Sequence, residues 1–600
     1  MATIVEKIIA GHCGKPVKPG DIVELGIDVR AARDFGGANV VKALEAHGLG
    51  VDDPKNTFFT FDCNPTGSDQ KYAANQQLCR VFARNHGIRV YDIDAGIGTH
   101  LALDLGLVGP GETIVSTDSH ANILGAIGAF GQGMGDQDIA HAWAHGKVWF
   151  EVPPTVRVEL VGAPGPDATP KDVGLAVLKH FGANGLLGCA AEVCGEYADR
   201  LSLDGRLTIS SLGTEMGAII VFFAPDKAVV DYCSVRAGRA FTPVYADKDT
   251  TYARVERVDV AGLGPMISRP GHPEDVVEVT EVAGRKIDSA FIGSCTDGRM
   301  EDLKLAAGVL KGRKVAPGVV LKIVPATDAL WRECLKNGIF DAFKAAGAMV
   351  GNAGCAGCAA GQIGQNGPGE VTVSTGNRNF SGKQGKGEVW LCSPATAAAS
   401  AVAGAIAAAN AIPAQPAAFV PAPGRPTGPT SPTRPTPPAR PAVIRGHVWV
   451  ISQDNIDTDM IFHNRYLTIT DVKEMGKYTF DNLKGWEDFA NKVKPGDIVV
   501  TGRNFGAGSS RQQAGDCFAS LGGSLIVARS YGAIYFRNAV NVALPVMVAD
   551  LLSAGLKDGD EISANIVTGE IELVGKGTSV PGRPFPKAQL DIYRKGGLLG

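Results

Sequence analysis

Three cysteines carry the first chemical signal. Cys295 stands in "IGSCTDGRMEDL", and Cys355 and Cys358 stand in "GNAGCAGCAAG", a C-x59-C-x2-C pattern among glycines and alanines that bury almost nothing. Cys295 directly follows an apolar run that predicts a strand, at a strand-to-helix turn with Asp297, Gly298 and Arg299 around it, and ligands of α/β folds sit at such turns. On spacing alone an iron–sulfur cluster, a zinc site with a fourth ligand elsewhere and unrelated core cysteines all stay open. A thioredoxin-type pair has no use for a third thiol, and the glycines suggest backbone drawn close around something bulky. A cluster normally takes four cysteines. With three, one iron is left for water or substrate and acts as a Lewis acid.

Two further stretches hold groups suited to moving protons and gripping carboxylates. In "GAGSSRQQA", Ser509 and Ser510 fall where a glycine-rich loop is predicted to enter a helix, so backbone N–H groups and the helix dipole would favour an anionic serine oxygen. A plain N-cap is the bland use of such a pair. Arg511 beside them offers a planar fork for a carboxylate or alkoxide. "TDSH" places Asp118, Ser119 and His120 after a predicted strand, suited to proton transfer and to orienting water, although aspartate and serine also cap helices.

The elements that must position these groups alternate short β-branched runs with alanine- and leucine-rich helical stretches. Strands are predicted in 87–94, 112–117, 155–162, 288–294, 319–326 and 387–394, and helices in 72–87, 170–182 and 301–312, each ending in glycine. The pattern is α/β. Eleven prolines between 413 and 441 then mark a linker, which as polyproline II at about 3.1 Å per residue could extend up to roughly 90 Å. A proline-rich docking motif is the weaker reading, since the prolines are irregularly spaced. After it, "HVWVIS", "GDIVVTG", "GSLIVARS" and "ALPVMVA" alternate with helices such as "SSRQQAGDCFASLG", which predicts a second, smaller α/β unit.

Composition bounds the function. Six hundred residues with 45% hydrophobic and 20% charged content describe a soluble, multi-domain chain, and a net charge of −4 without a basic stripe counts against nucleic acid or an anionic membrane. The opening "MATIVEKIIAGHCGK" lacks the apolar core of a secretory signal and no run of about 18 apolar residues appears, so the cytoplasm is the predicted compartment. Twelve cysteines are too sparse for a disulfide scaffold, and Cys79, Cys233 and Cys334 read as ordinary small core residues.

Longer stretches resemble the aconitase superfamily and, within it, 3-isopropylmalate dehydratase. "TIVEKIIAGHCGKPVKPGD" (3–21), "STDSHANILGAIGAFGQGMGDQD" (116–138), "GSCTDGRMEDL" (293–303), "GNRNFSGKQG" (376–385) and "SPATAAASAVAGAI" (393–406) are similar to the large subunit. "DNIDTDMI" (454–461), "NRYL" (464–467), "GDIVVTGRNFGAGSSRQQA" (496–514) and "YFRNAVNVALPV" (535–546) are similar to the small one. The resemblance implies a [4Fe-4S] hydro-lyase of leucine biosynthesis with both subunits fused. Its expected layout is a cluster-bearing region of three α/β subdomains over 1–410, a proline-rich linker over 411–442, and a swivelling α/β domain over 443–600 that closes on the cluster. It implies Cys295, Cys355 and Cys358 as cluster ligands and Ser509 as base. Asp118 and His120 would move protons, and Arg511, Ser510, Asn377, Arg378, Lys383 and Thr468 would face a small dicarboxylate or hydroxy-dicarboxylate substrate. Glu215 matches an acidic residue that the family keeps near the cluster.

The departures from the family pattern cluster on groups that would touch substrate or leaving water. Asp62 is followed by Cys63 where the family writes histidine; "GIGTH" puts Thr99 at a histidine and His100 one place later; Ser211 stands for an asparagine, and Lys383 for an arginine, keeping charge but losing the fork. Relatives that act on a substrate with a distal carboxylate tend to carry arginine where this chain has Thr468, which favours an alkyl substituent, although Arg465 stands nearby. The expected activity is interconversion of an alkyl-substituted malate and its unsaturated diacid. A dehydratase for dimethylmalate or a homoaconitase is the next reading, and a cluster-binding regulatory or RNA-binding protein is the reading from another class. A homo-oligomer stays open.

Overall fold

The computed structural model describes residues 1–65, 70–358, 363–417, 440–509 and 511–598, with Cys358 described in its backbone alone. The chain divides into two compact units, Met1–Ala422 and Pro423–Gly600. Most of the proline-rich stretch and Ser510 lie outside the described residues. Among those residues no helix is long and apolar enough to cross a membrane.

Among the described residues the first unit holds three α/β sheets and a two-stranded antiparallel ribbon, Ile22–Gly26 with Lys147–Glu151. In the first, five parallel strands run in the order Arg89–Tyr91, Thr57–Thr60, Val29–Arg33, Thr113–Ser116 and Phe130–Gly133. In the second, also parallel, the order is Ile220–Phe223, Ala190–Cys194, Thr155–Val161 and Arg254–Asp259. The third has seven strands, and its parallel part runs Glu388–Cys392, Val371–Ser374, Ser289–Gly293, Val320–Val324 and Met349–Val350. Two short antiparallel strands, Met266–Ser268 and Val276–Glu278, extend its edge. Parallel strands are covered by helices on both faces, so they read as continuous apolar runs, and Ser289–Gly293 is buried at every position. Each of the six strand-like runs predicted in this unit forms a strand, shorter by one to five residues because the ends turn into loops.

Helix boundaries follow from capping chemistry. Pro170–Phe181 opens on Thr169, whose hydroxyl accepts the Asp172 N–H while Asp172 reaches back to the Thr169 N–H, and closes on Gly182 at φ 64°. Cys79, Cys233 and Cys334 are fully buried, and burial pushes each thiol up to about 12.

The second unit is one seven-stranded sheet in the order Val546–Val548, Leu525–Ala528, Ile498–Thr501, Val443–Ile451, Glu561–Asn565, Glu570–Leu573 and Thr578–Pro581. The long strand Val443–Ile451 joins a parallel half to an antiparallel half. Phe462, Phe480, Phe489, Phe505 and Phe518 pack its helical side. The helix expected from Ser509 onward begins instead at Gln513. Gly506 and Gly508 take φ of 74° and 100°, and the Arg511 N–H closes a turn on the Ser509 carbonyl at 2.8 Å, so the glycine-rich segment persists as a loop for four residues more.

One buried pair ties the second sheet to the third. The Lys171 ammonium, 0% exposed, meets Asp297 at 3.1 Å and donates to the Thr375 and Gly376 carbonyls at 3.0 Å each. Lys171→Met should leave the Asp297 carboxylate buried without its cation and cost about 3–5 kcal/mol of unfolding free energy in urea. Adding Asp297→Asn should recover part of that loss.

Candidate active site

Both described thiol loops depend on backbone that only a tight turn supplies. Cys295 lies in the short helix Ser294–Asp297 just after the strand Ser289–Gly293. Gly293 has φ 145°, and a Cβ there would stand 2.2 Å from the Val324 carbonyl oxygen, so no larger residue fits. Ser294 at φ 73° and Ala356 at φ 49° are left-handed without being glycine, and each adjoins a cysteine. Such backbone persists only where surrounding contacts hold it, and it gathers at functional sites. Cys295 and Cys355 are buried at 3% and 7% exposure. Asn377, fully buried, points its amide nitrogen at Cys295 Sγ from 3.8 Å and accepts the Thr296 hydroxyl with its oxygen. The Cys355 N–H donates to the Asp62 carbonyl at 2.9 Å.

A lattice of buried charge surrounds these loops. Arg33, ending the strand Val29–Arg33, donates through Nε to Asp62 Oδ1 at 2.8 Å and pairs through Nη1 with Asp118 Oδ1 at 3.1 Å. The same Asp118 oxygen accepts the His120 N–H at 3.0 Å. His120 Nε2 meets Glu215 Oε1 at 3.0 Å, and Arg378 Nε donates to both Glu215 oxygens at 3.0 and 3.1 Å. Burial raises Asp118, but the Arg33 and His120 charges overcome it and hold its carboxyl below the usual range. For Asp62 burial wins over Arg33, and its carboxyl is pushed up to about 6. Burial opposes a charge on His120, yet Cys295 and Glu215 beside it push the imidazole up to about 10. Arg378 and Thr214 line a cleft of about 410 Å³ together with Ser119 and Asn122, and a small molecule fits a volume of that size.

In the second unit Ser509 is exposed, with its hydroxyl 3.2 Å from that of Thr458. Arg511 spreads its fork on Asp459 at 2.5 and 2.7 Å and also donates to the Phe462 carbonyl at 3.0 Å. The fork expected to hold a substrate carboxylate is thus occupied by one of the protein's own. Since the helix begins at Gln513, the helix end expected at Ser509 is four residues away, and the loop rather than a dipole sets the environment of that oxygen. Thr468 is exposed, and Arg465 is held by Asp481 at 2.7 Å.

The Aconitase family (aconitate hydratase) matches residues 6–285 and 280–404, and the Aconitase C-terminal domain matches residues 446–550. The chain belongs to the aconitase family. A 3-isopropylmalate dehydratase large subunit 1 of Methanopyrus kandleri is 40% identical over 406 residues, 67% of this chain and 97% of that protein. A 3-isopropylmalate dehydratase large subunit of Heliobacterium modesticaldum is 39% identical over 408 residues, with the same 67% and 97% coverage. A solved 3-isopropylmalate dehydratase of Methanocaldococcus jannaschii matches 26% of this chain and 91% of its own at 33% identity, with a TM-score of 0.25.

As a member of the aconitase family the chain is a hydro-lyase, and proteins of this family bind a [4Fe-4S] cluster. The donors present fit such a group. Both thiols are buried on strained turns beside amide and charged donors, although Cys295 also packs in an apolar cluster, and the third cysteine follows in the turn Ala356–Cys358. Two of the departures from the aconitase family pattern contact the turn that holds Cys295: His100 through the Cys295 carbonyl and Ser211 through the Thr296 hydroxyl. His100 Nε2 donates to the Cys295 carbonyl at 2.8 Å, which leaves Nδ1 as an acceptor with no partner among the described residues. Burial and the Arg299 charge push that imidazole down to about 4. Thr99 Oγ1 is likewise buried without a partner among the described residues. Ser211 donates to the Thr208 carbonyl at 2.8 Å, and Lys383 is half-buried with no ion pair among the described residues.

Sequence reasoning missed Arg33, which bridges Asp62 and Asp118, and Asp459, which holds Arg511. The dipeptide Arg33-Asp34 ends the strand Val29–Arg33, for which no expectation was drawn from the sequence, and its place ahead of Gly36 and Gly37 was a usable signal. Glu215 joins His120 to Arg378, so Glu215→Ala should take from the buried His120 its carboxylate partner and from Arg378 one of its anions. The expected loss is about 3–5 kcal/mol in urea unfolding, with a smaller loss in Glu215→Gln, which keeps the volume and an acceptor.

Proposed function

We propose that this chain is a [4Fe-4S]-dependent dehydratase that interconverts an alkyl-substituted malate and its unsaturated diacid, with large- and small-subunit functions of 3-isopropylmalate dehydratase in one polypeptide. The observation that carries the reading is the pairing of buried Cys295 and Cys355 with the Asp118–His120–Glu215–Arg378 lattice. Cys295, Cys355 and Cys358 would hold the cluster, which when bound supplies an open iron as Lewis acid for the departing hydroxyl.

The chain's own groups do the rest. Arg378, 19% exposed at the cleft, receives a substrate carboxylate, and its link to Glu215 keeps the fork oriented. His120, charged at neutral pH, stands ready to give a proton to the leaving oxygen, and Asp118 fixes its backbone. Asn377 sets the position of Cys295 Sγ through its amide. By the family pattern Ser509 would take the weakly acidic C–H proton, with Ser510 assisting and Lys383 adding positive charge, while Arg511 would serve a substrate carboxylate only on leaving Asp459. Thr468 leaves room for an alkyl group, and the capture of Arg465 by Asp481 removes the nearest candidate for reading a distal carboxylate. That capture favours an alkylmalate over homocitrate.

Anaerobic reconstitution should give an electron paramagnetic resonance signal of a cluster, and ultraviolet absorbance should rise when alkylmalates are dehydrated but not with homocitrate. Ser509→Ala should lower kcat by about 100-fold or more with iron content unchanged and KM within a few-fold; full turnover in that variant would remove Ser509 as the base. Cys295→Ala should lose the cluster, whereas Cys79→Ala should keep it.

A further inference from the structure

One buried thiol in the first unit has no part in this mechanism. Cys63, 4% exposed, lies just past the carboxyl end of the strand Thr57–Thr60. Unlike Cys79, Cys233 and Cys334, it is absent from the apolar clusters and sits in the charge lattice. Its loop is pinned. The Asp34 carboxylate accepts the Cys63 and Asn64 N–H groups at 3.0 Å each and the Gln76 amide at 3.0 Å. Those bonds engage both Asp34 oxygens, and Arg33 engages Asp62 Oδ1. The buried trio Asp34, Asp62 and Cys63, whose donor atoms lie within 4.8 Å of one another, therefore makes a poor separate cation site, and its thiol is the donor least used.

That thiol lies beside the cluster loops. The Asp62 carbonyl accepts the Cys355 N–H at 2.9 Å, so the peptide that links Asp62 to Cys63 is bonded directly to Cys355. Standard backbone dimensions across such a bond put the Cα atoms of residues 63 and 355 about 5–7 Å apart, a span that two ligands of one cluster readily cover. Burial pushes the Cys63 thiol well up, Asp62, Asp34 and Cys355 add to that shift, and Arg33 opposes it. Its own hydrogen bond is weak, a 3.8 Å contact from Sγ to Asp62 Oδ1. Arg33 Nη2, buried and without a hydrogen-bond partner among the described residues, leaves a positive edge beside these groups.

We propose that Cys63 is a fourth, displaceable cluster ligand, closing the iron that Cys295, Cys355 and Cys358 leave open until substrate takes its place. The inference rests on the cluster assignment made above. On closure the S–H bond would break, its proton passing to Asp62 Oδ1, and the thiolate would replace a water at the open iron; on substrate binding a substrate oxygen would replace the thiolate, which would recover its proton from Asp62. No electron is transferred. The consequence is a resting state in which the labile iron is shielded from oxidants, at the expense of competition with substrate.

The test uses the full chain reconstituted anaerobically, then oxidised with ferricyanide and frozen for electron paramagnetic resonance. An open three-cysteine cluster loses its fourth iron and shows a [3Fe-4S] signal, whereas a four-thiolate cluster resists that loss. The wild-type chain should give little of that signal, and Cys63→Ser and Cys63→Ala should give about 10-fold more, together with a loss of iron relative to sulfide. Adding an alkylmalate before oxidation should raise the wild-type signal toward that of the variants. Equal [3Fe-4S] yields in wild type and both variants would overturn the proposal while leaving the dehydratase reading intact. A wild-type chain that builds no cluster would instead refute the assignment on which both rest.

Discussion

The structure of the first unit depends on neutralising charge that has been taken out of water. Arg33, Asp62, Asp118, His120 and Glu215 are each less than a tenth exposed, and any one of them left unpaired would cost several kcal/mol. Their partners arrive from different sheets. Arg33, Asp62 and Asp118 come from strand ends of the first sheet, Glu215 precedes a strand of the second, and Arg378 follows a strand of the third. The lattice is complete only when all three sheets are in place, so it couples the packing of the unit to the geometry of its chemistry.

Close backbone approach makes that convergence feasible. Gly293 presses on Val324, and a Cβ at Gly98 would stand 2.7 Å from the Thr60 hydroxyl, so the turns after neighbouring strands sit one against another. The thiol loops then occupy the space at the strand ends, where parallel sheets leave backbone groups pointing outward. The left-handed Ser294 and Ala356 are strained residues that this packing maintains.

The second unit solves a simpler problem by itself. An aromatic cluster supports its helical side, and the glycine-rich loop carries Ser509 to the surface while Arg511 is neutralised by Asp459 a short distance away. A guanidinium satisfied in this way is held in one geometry, and a stronger or better-placed anion would have to displace Asp459 to use it. The altered positions Thr99 and His100 lie in the first unit, where His100 donates to the Cys295 carbonyl while His100 Nδ1 and Thr99 Oγ1 have no partner among the described residues.

The fold class was readable in the chain because parallel strands are continuous apolar runs and helices carry their own caps, as at Thr169 and Gly182. The thiol pattern and the "TDSH" run could be singled out as short local motifs beside predicted strands, whereas Asn377 and Arg378 were singled out only through the family resemblance. The start of the helix at Gln513 was misplaced because two left-handed glycines decide it, and their φ angles do not show in residue type. The sequence by itself determined most of the elements and which side chains are candidates for chemistry, for those are matters of local pattern. Tertiary structure alone decided that Arg33 bridges Asp62 to Asp118, that Asp459 occupies Arg511, and that Cys63 stands beside Cys355. Such pairings join residues far apart in the chain, and burial, which no local pattern encodes, selects them.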